Sequence, residues 1–160
     1  MSSASRSVPA LLAGALRVYR QEIRADLEEA GFADLPPSGS WALAALAHAS
    51  MGVAELAAHL DWTKQASSRL ADALVASGYA TRKAHDDDRR RVVLALTNRG
   101  FAASKTVVAT TRRLDRRLVR GLTADERDAL RAAFEGFSVP ALRNSRTTEA
   151  PSPFSYVGRA

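Results

Sequence analysis

The sequence contains no cysteine and only three lysines among its 160 residues. Without cysteine, the chain has no disulfide framework, no thiolate zinc or iron–sulfur site and no thiol redox switch. Aromatic residues make up only 6% of the sequence, and no apolar run approaches the roughly 18 residues of a membrane span. The N-terminus lacks a basic region followed by an apolar core, so we expect a cytoplasmic protein without membrane contact.

Arginine and apolar residues are abundant. Lys and Arg total 23 against 17 Asp and Glu, which leaves a net charge of +6 and favours polyanions or anionic surfaces as partners. Hydrophobic residues make up 46% of the chain, enough to build the packed core of one domain with extensions. The arginines are densest at residues 89–91 and 112–120, and the second group is expected to pair with acidic residues of the first helix or to face water.

The first part of the chain is predicted to form two helices. Six apolar residues at spacings of four and three share one helical face, and Gly31 follows as a stop. After a Pro- and Ser-rich turn, Ser38 or Ser40 caps a short helix that ends near Ala49. The apolar faces consist of Leu12, Leu16, Tyr19, Ile23, Leu27 and Ala30 in the first helix and of Trp41, Leu43 and Leu46 in the second.

Two short helices joined by a tight turn are predicted next, over residues 53–60 and 64–77. Thr63 is placed as the N-cap of the second helix, Leu70 and Leu74 lie on its inner face, and Gly78 ends it.

A hairpin is predicted from two short apolar strands around a charged tip. The strands cover residues 79–83 and 92–96, with Val92, Leu94 and Leu96 facing the same way. Residues 85–91 are all charged or ionisable, so they form an exposed loop. Two further amphipathic helices follow; Thr97 or Asn98 begins the first, and Thr123 with Glu126 forms the capping box of the last, which Pro140 ends.

This order of elements, together with several short motifs, resembles the winged helix-turn-helix of the MarR family of transcriptional regulators. The resemblance spans about residues 10–137. Two positions depart from it: Asp61 stands where the turn usually has Gly, which is tolerable because Asp can adopt the left-handed conformation, and Ser67 occupies a usually apolar position. The motifs that carry the resemblance are Glu55-Leu56-Ala57, Ser68-Arg69-Leu70 with Leu74, Gly78-Tyr79, and Asp88-Arg89-Arg90 followed by Leu96-Thr97 and Gly100.

The resemblance implies a mainly α fold with a small β-hairpin wing. It divides the chain into a flexible N-terminus (1–8), a helical dimerisation region (9–35 and 101–139), a winged helix-turn-helix lobe (36–100) and an extended tail (140–160). The implied protein is a homodimer that represses a pseudo-palindromic operator and is released by a small, aromatic or anionic ligand. Tyr19, Trp41 and His48 are candidate ligand residues, although a packed aromatic core with a surface histidine also accounts for them.

The same resemblance implies which side chains contact double-stranded DNA. Residues at the start of the second helix read base edges in the major groove, and wing residues reach the minor groove and phosphates. In the wing, Arg90 enters the minor groove, Asp88 accepts hydrogen bonds from its guanidinium, and Arg89 and Arg91 contact phosphates. The full candidate set is Thr63, Lys64, Gln65, Ser67, Ser68 and Arg69 in the helix and Asp88, Arg89, Arg90 and Arg91 in the wing.

Simpler interpretations compete with DNA recognition. Lys64 and Gln65 are also compatible with a solvated first turn, and the wing with a solvated loop of compensating charges. A winged domain used only for dimerisation or protein contact is the alternative function. Catalysis is not expected, because the three histidines fall on different elements and no nucleophile elbow, phosphate loop, metal site or cofactor motif is present.

Overall fold

The computed structural model describes residues 7–142, with side chains to residue 136, and within that range contains six helices and one hairpin. It divides into two units, the first ending at Arg112 and the second beginning at Arg113, within the fifth helix. The elements are α1 (Val8–Glu29), α2 (Gly39–Leu46), α3 (Val53–Leu60), α4 (Lys64–Ala76), β1 (Ala80–Ala84), β2 (Val92–Leu96), α5 (Asn98–Leu118) and α6 (Ala124–Leu142). The mainly α fold with a small hairpin is thereby confirmed. None of the helices in this range combines the length and apolar character needed to cross a bilayer.

Local signals place most helix ends where the sequence predicts them. Thr97 Oγ1 accepts a hydrogen bond from the Gly100 amide at 3.1 Å and so caps α5. Thr123 and Glu126 form the predicted capping box, with Thr123 N–H donating to Glu126 Oε2 at 2.8 Å and Glu126 N–H donating to Thr123 Oγ1 at 3.3 Å. These bonds hold the pKa of Glu126 below its ordinary value.

Four predicted boundaries or faces differ in the structure. Helix α2 ends at Leu46, because the chain turns toward Met51, which forms a β-bridge with Leu94. Val92 is 61% exposed because it pairs with Ala84 next to the loop at the tip of the hairpin, whereas Val93 is buried. The other differences are that Trp41 is half-buried and that α6 continues two residues past Pro140, to Leu142. Residues 1–6 and 143–160, which include most of the predicted flexible terminus and tail, lie outside the described range.

The core of the first unit is formed by α2, α3, α4 and the hairpin, together with buried residues of α1 and α5. The hairpin is a two-stranded antiparallel sheet from Ala80 opposite Leu96 to Ala84 opposite Val92. Tyr79 precedes β1 because its amide still donates to Leu74 O at 2.9 Å across Gly78, whose φ of +73° reverses the chain. The largest side chains that are almost completely buried are Tyr79, Leu43, Leu56, Leu74, Leu94 and Val93.

Tyr79 anchors a polar network at one edge of this core. Its hydroxyl donates to Asp34 Oδ1 at 2.8 Å, and Arg99 donates to the same oxygen at 2.7 Å while its guanidinium lies 4.4 Å from the centroid of the Tyr79 ring. Burial and the hydrogen bond to Asp34 raise the pKa of Tyr79 to about 12, and the hydrogen bonds from Tyr79 and Arg99 lower the pKa of Asp34. The network joins the segment before α2 to the start of α5.

Gly100 allows the first turn of α5 to lie directly against the backbone that leads into β1. A Cβ atom at this position would lie 2.0 Å from the Tyr79 carbonyl oxygen. Two hydrogen bonds from Thr97 hold this contact. Its amide donates to Tyr79 O at 3.1 Å, and its hydroxyl donates to Gly78 O at 2.6 Å. The Thr-x-x-Gly motif therefore caps α5 and also fixes its distance from the hairpin.

Candidate nucleic-acid interface

The turn between α3 and α4 is built on a left-handed residue. Asp61 adopts φ 54° and ψ 43°, as expected for the position where the resemblance anticipates glycine. The Trp62 amide donates to Ala57 O at 2.9 Å, which closes the turn at the end of α3. The chain therefore enters α4 immediately after α3 and presents the first turn of α4 at the surface.

Helix α4 begins with exposed polar side chains. Thr63 Oγ1 accepts a hydrogen bond from the Ala66 amide at 3.2 Å, which confirms the predicted N-cap. Lys64, Gln65 and Arg69 are exposed, and within residues 7–142 none of their side chains has a hydrogen-bond or ion-pair partner. Ser68 is half-buried. The start of the helix is thus free to meet a ligand.

Ser67 is the exception in the predicted helix set. Its side chain is fully buried, and its hydroxyl has no hydrogen-bond partner among the described residues. The reason is its spacing: Ser67 precedes Leu70, Ala71 and Leu74 by three, four and seven residues and therefore shares their core-facing side of α4. The prediction that Ser67 contacts DNA is corrected, and the position is a core position.

The tip of the hairpin is a closed, exposed loop, as predicted. The His85 amide donates to Arg91 O at 2.8 Å, and the Arg91 amide donates to Asp88 O at 2.9 Å. Arg89 and Arg90 lie between these bonds and are exposed, and in the part of the chain that the structure describes their guanidinium groups have no partner. A rigid loop therefore holds two arginines toward solvent.

Asp88 shapes this loop by a different contact from the predicted one. Its Oδ1 accepts a hydrogen bond from the backbone amide of Arg90 at 3.0 Å, and not from the Arg90 guanidinium. A carboxylate that bonds a backbone amide two residues ahead forms an Asx-turn, which orders the loop locally. Asp88 therefore fixes the backbone of Arg90 and leaves its side chain free.

Arg91, which is predicted to contact phosphates, forms an ion pair within the chain. Its Nη2 donates to Glu55 Oε1 at 2.6 Å, while Glu55 Oε2 accepts from the Gly52 amide at 2.7 Å. The Gly52 hydrogen bond and Arg91 hold the pKa of Glu55 below its ordinary value. Sequence reasoning missed the structural role of Glu55; its place as the third residue of α3, three after Gly52, is the signal that a helix-capping carboxylate leaves.

A second ion pair connects the hairpin to α4. Arg82 on β1 donates to Asp72 on α4 at 2.7 Å. Both side chains are exposed, so the pair contributes little to stability. Neither residue was identified from the sequence, because no local motif links them.

A separate cleft of about 170 Å³ lies between the second half of α1 and the start of α2. It is lined by Arg20, Arg24, Glu28, Phe32 and Trp41, among others. Of the three side chains predicted to hold a ligand, only Trp41 lines this cleft; Tyr19 lies one residue outside it on α1, and His48 follows α2. Desolvation and the neighbouring His59 lower the pKa of His48 below its ordinary value.

An exposed helix start after a tight turn, beside a hairpin that presents arginines, defines a winged helix-turn-helix protein. Residues 33–91 match a family model described as "MarR family". The resemblance to that family is therefore confirmed, in sequence over this segment and in fold over most of the chain. None of the curated proteins compared matches the sequence.

Solved structures of MarR-family proteins share the fold. A MarR-family regulator from Silicibacter pomeroyi is 25% identical, with a TM-score of 0.64 over 89% of this chain and 92% of its own. The Mycobacterium tuberculosis MarR family protein Rv2887, solved in complex with DNA, is 26% identical, with a TM-score of 0.57 over 84% and 99%. The Bordetella bronchiseptica protein BpsR, whose DNA binding is regulated by 6-hydroxynicotinic acid, is 16% identical, with a TM-score of 0.62 over 86% and 97%.

Proposed function

We propose that this chain is a homodimeric transcriptional regulator that binds a pseudo-palindromic DNA operator and represses from it. The proposal is carried by two groups of exposed side chains that have no partner among the described residues. They are Lys64, Gln65 and Arg69 at the start of α4, and Arg89 and Arg90 in the wing. The start of a second helix enters the major groove in proteins of this class. The DNA complex of the 26% identical mycobacterial relative supports the same interpretation.

The chemistry of each side chain suggests what it reads. Gln65 can form two hydrogen bonds with adenine, and Lys64 or Arg69 with guanine. Arg90 suits the minor groove, where the negative potential is focused, and Arg89 suits phosphates. Thr63 is already engaged in capping α4 and Ser68 is half-buried, so we assign them to the edge of the contact.

The dimer is proposed from apolar surface on α1. Val8 is 67% exposed, Leu11 52% and Leu16 44%, whereas Ile23 and Leu27 further along the helix are buried. Exposed large apolar side chains in a row mark an interface, and a second copy covers such a surface by twofold symmetry. Two recognition helices then lie roughly 34 Å apart, one turn of duplex DNA.

Release by a small ligand is part of the proposal, and the α1–α2 cleft is its site. Arg20 and the half-buried Trp41 line the cleft, a combination that suits an aromatic carboxylate, whereas the neighbouring Arg24 already pairs with Glu28 at 2.8 Å. The regulation of the Bordetella protein by 6-hydroxynicotinic acid is a precedent on the same fold. Titration of aromatic acids into the protein–DNA complex tests this, with Arg20→Gln as the variant expected to lose the response.

Selection of bound sequences from random duplex DNA is the experiment that tests the function. A regulator enriches an inverted repeat whose half-sites are about one helical turn apart, and its affinity falls steeply with salt. The alternative function, an interaction module that binds no specific sequence, yields no consensus and no binding at low salt. Light scattering on the same sample measures whether the protein is a dimer.

The Asx-turn at Asp88 predicts that two substitutions at this position affect operator binding differently. Asp88→Asn keeps the side-chain oxygen that accepts the Arg90 amide and removes a negative charge near DNA, so operator affinity is expected to hold or rise. Asp88→Ala removes the acceptor as well, and the loss of about one hydrogen bond, roughly 1 kcal/mol, is expected to weaken binding about fivefold. Fluorescence anisotropy with labelled operator measures both. Equal weakening in the two variants would instead indicate that the carboxylate acts through its charge on the guanidinium.

A further inference from the structure

The carboxylate of Glu55 connects the start of the helix-turn-helix to the base of the wing. One carboxylate oxygen accepts a hydrogen bond from the Gly52 amide at 2.7 Å, and the other accepts one from Arg91 Nη2 at 2.6 Å. Glu55 and Arg91 are 36 residues apart in sequence. One side chain therefore joins the first turn of α3 to the last residue of the wing loop.

Backbone contacts place this ion pair where the wing loop closes. The Arg91 carbonyl accepts the His85 amide at 2.8 Å, so Arg91 forms one side of the neck of the loop. Below it, Met51 and Leu94 exchange two backbone hydrogen bonds, at 2.9 and 3.2 Å, which attach the segment before α3 to β2. The backbone hydrogen bonds fix β2 against the segment before α3. The Glu55–Arg91 ion pair then fixes the end of the wing loop against the first turn of α3.

We infer that Glu55 and Arg91 are positioning residues for DNA recognition, and that Arg91 does not contact DNA. The inference rests on the proposed function. The three consecutive arginines then divide the work: Arg89 and Arg90 face solvent without partners in the described range, while Arg91 is engaged by a carboxylate. The pair holds the wing at the position from which Arg90 reaches the minor groove while α4 occupies the major groove.

The size of the interaction fits positioning and not stability. Both side chains are about half exposed, 49% for Arg91 and 52% for Glu55, and exposed ion pairs contribute little to folding. Loss of the pair is therefore expected to leave the melting temperature nearly unchanged. Binding is more sensitive, because a loop that is not held must be ordered when the wing and the helix engage the duplex together.

Salt dependence separates a positioning role from a phosphate contact. The variants are Glu55→Gln, which keeps a side-chain oxygen for the Gly52 amide, Arg91→Gln, and the double variant. Each single change is expected to weaken operator binding about fivefold to thirtyfold, the double variant to be no weaker than the singles, and the slope of log affinity against log salt to stay unchanged. Asp72→Asn is the matched control, since Asp72 forms an exposed ion pair with Arg82 on β1 and belongs to neither the DNA contact set nor the cleft.

The opposite pattern would overturn the inference. If Arg91 contacts a phosphate, Arg91→Gln lowers the salt slope by about one, and Glu55→Gln leaves affinity unchanged or raises it because a charge that repels DNA is removed. Additive losses in the double variant would also overturn it, since residues that act as one pair are not additive.

A measurement without DNA keeps this inference separate from the proposed function. Trypsin cleaves after Arg89 and Arg90 when the loop opens, and Glu55→Gln leaves both cleavage sites intact. Cleavage in the native Glu55→Gln protein is expected to be several-fold faster than in wild type, and Asp72→Asn is expected to match wild type. If the wild-type protein binds no duplex, the proposed function fails while this result still decides whether the pair holds the wing; equal cleavage rates would show that it does not.

Discussion

Replacing Gly100 by Ala is expected to destabilise the protein by about 3 kcal/mol. The added methyl group would lie 2.0 Å from the Tyr79 carbonyl oxygen, a distance at which backbone must move. That backbone is held by hydrogen bonds from Thr97 to Tyr79 and Gly78, so a shift of α5 breaks them. Chemical denaturation followed by far-ultraviolet circular dichroism measures the loss, as a lower midpoint at an unchanged slope.

A glycine in open space provides the control for this change. Gly136 lies in α6, and apart from its chain neighbours and its own helix backbone no described atom lies within 4 Å of the position its Cβ would occupy. Gly136→Ala is therefore expected to be neutral or to stabilise by up to about 1 kcal/mol, because alanine is the better helix former. A Gly100→Ala variant as stable as wild type would mean that α5 does not lie against the hairpin as described.

Arg90→Ala is expected to have the largest effect on DNA binding, a loss of about 1–3 kcal/mol in specific operator affinity. The Asx-turn at Asp88 holds the Arg90 backbone, and the guanidinium is exposed without a partner in the described part of the chain. Its interaction with the duplex is therefore not offset by loss of an internal bond. Competition between operator and random duplex in an anisotropy titration measures the specific part of the loss.

Arg89→Ala is the matched control, since Arg89 is the neighbouring exposed arginine of the same loop. A phosphate contact contributes equally to all sequences, so this variant is expected to flatten the salt dependence while the preference for operator remains. Unchanged operator affinity in the Arg90 variant would refute the minor-groove assignment. Loss of stability cannot explain a difference between two surface positions of one loop.

The helix-turn-helix can be predicted from the sequence because short-range signals decide it. Thr63 caps α4 by accepting a hydrogen bond from the amide of Ala66, three residues further on. Gly78 supplies the left-handed conformation that ends the helix. Asp61 adopts the expected left-handed turn conformation. The helical spacing also predicts the core position of Ser67, because Ser67 lies on the same face of α4 as Leu70 and Leu74. The resemblance to the family instead placed Ser67 among the DNA contacts.

The roles of the wing side chains could not be predicted in the same way. Asp88 has both a backbone amide and a guanidinium within two residues, and only the loop geometry selects the amide. Arg91 looks like its neighbours in sequence, but a carboxylate on another helix engages it. Three adjacent arginines of one chemistry therefore differ in their contacts within the chain: Arg91 pairs with Glu55, whereas Arg89 and Arg90 have no side-chain partner among the described residues.

Residue order alone was enough to establish the mainly helical class, the order of the elements, the exposed wing and the helix caps, because each depends on interactions between residues a few positions apart. The partners of Asp34, Glu55, Asp72 and Gly100 emerged only from the folded chain. Asp34 and Arg99 are 65 residues apart and Glu55 and Arg91 are 36 apart, and such pairs form only after packing of the core has brought distant segments into contact. Packing also decides that Arg91, alone among the three wing arginines, meets a carboxylate within the described part of the chain.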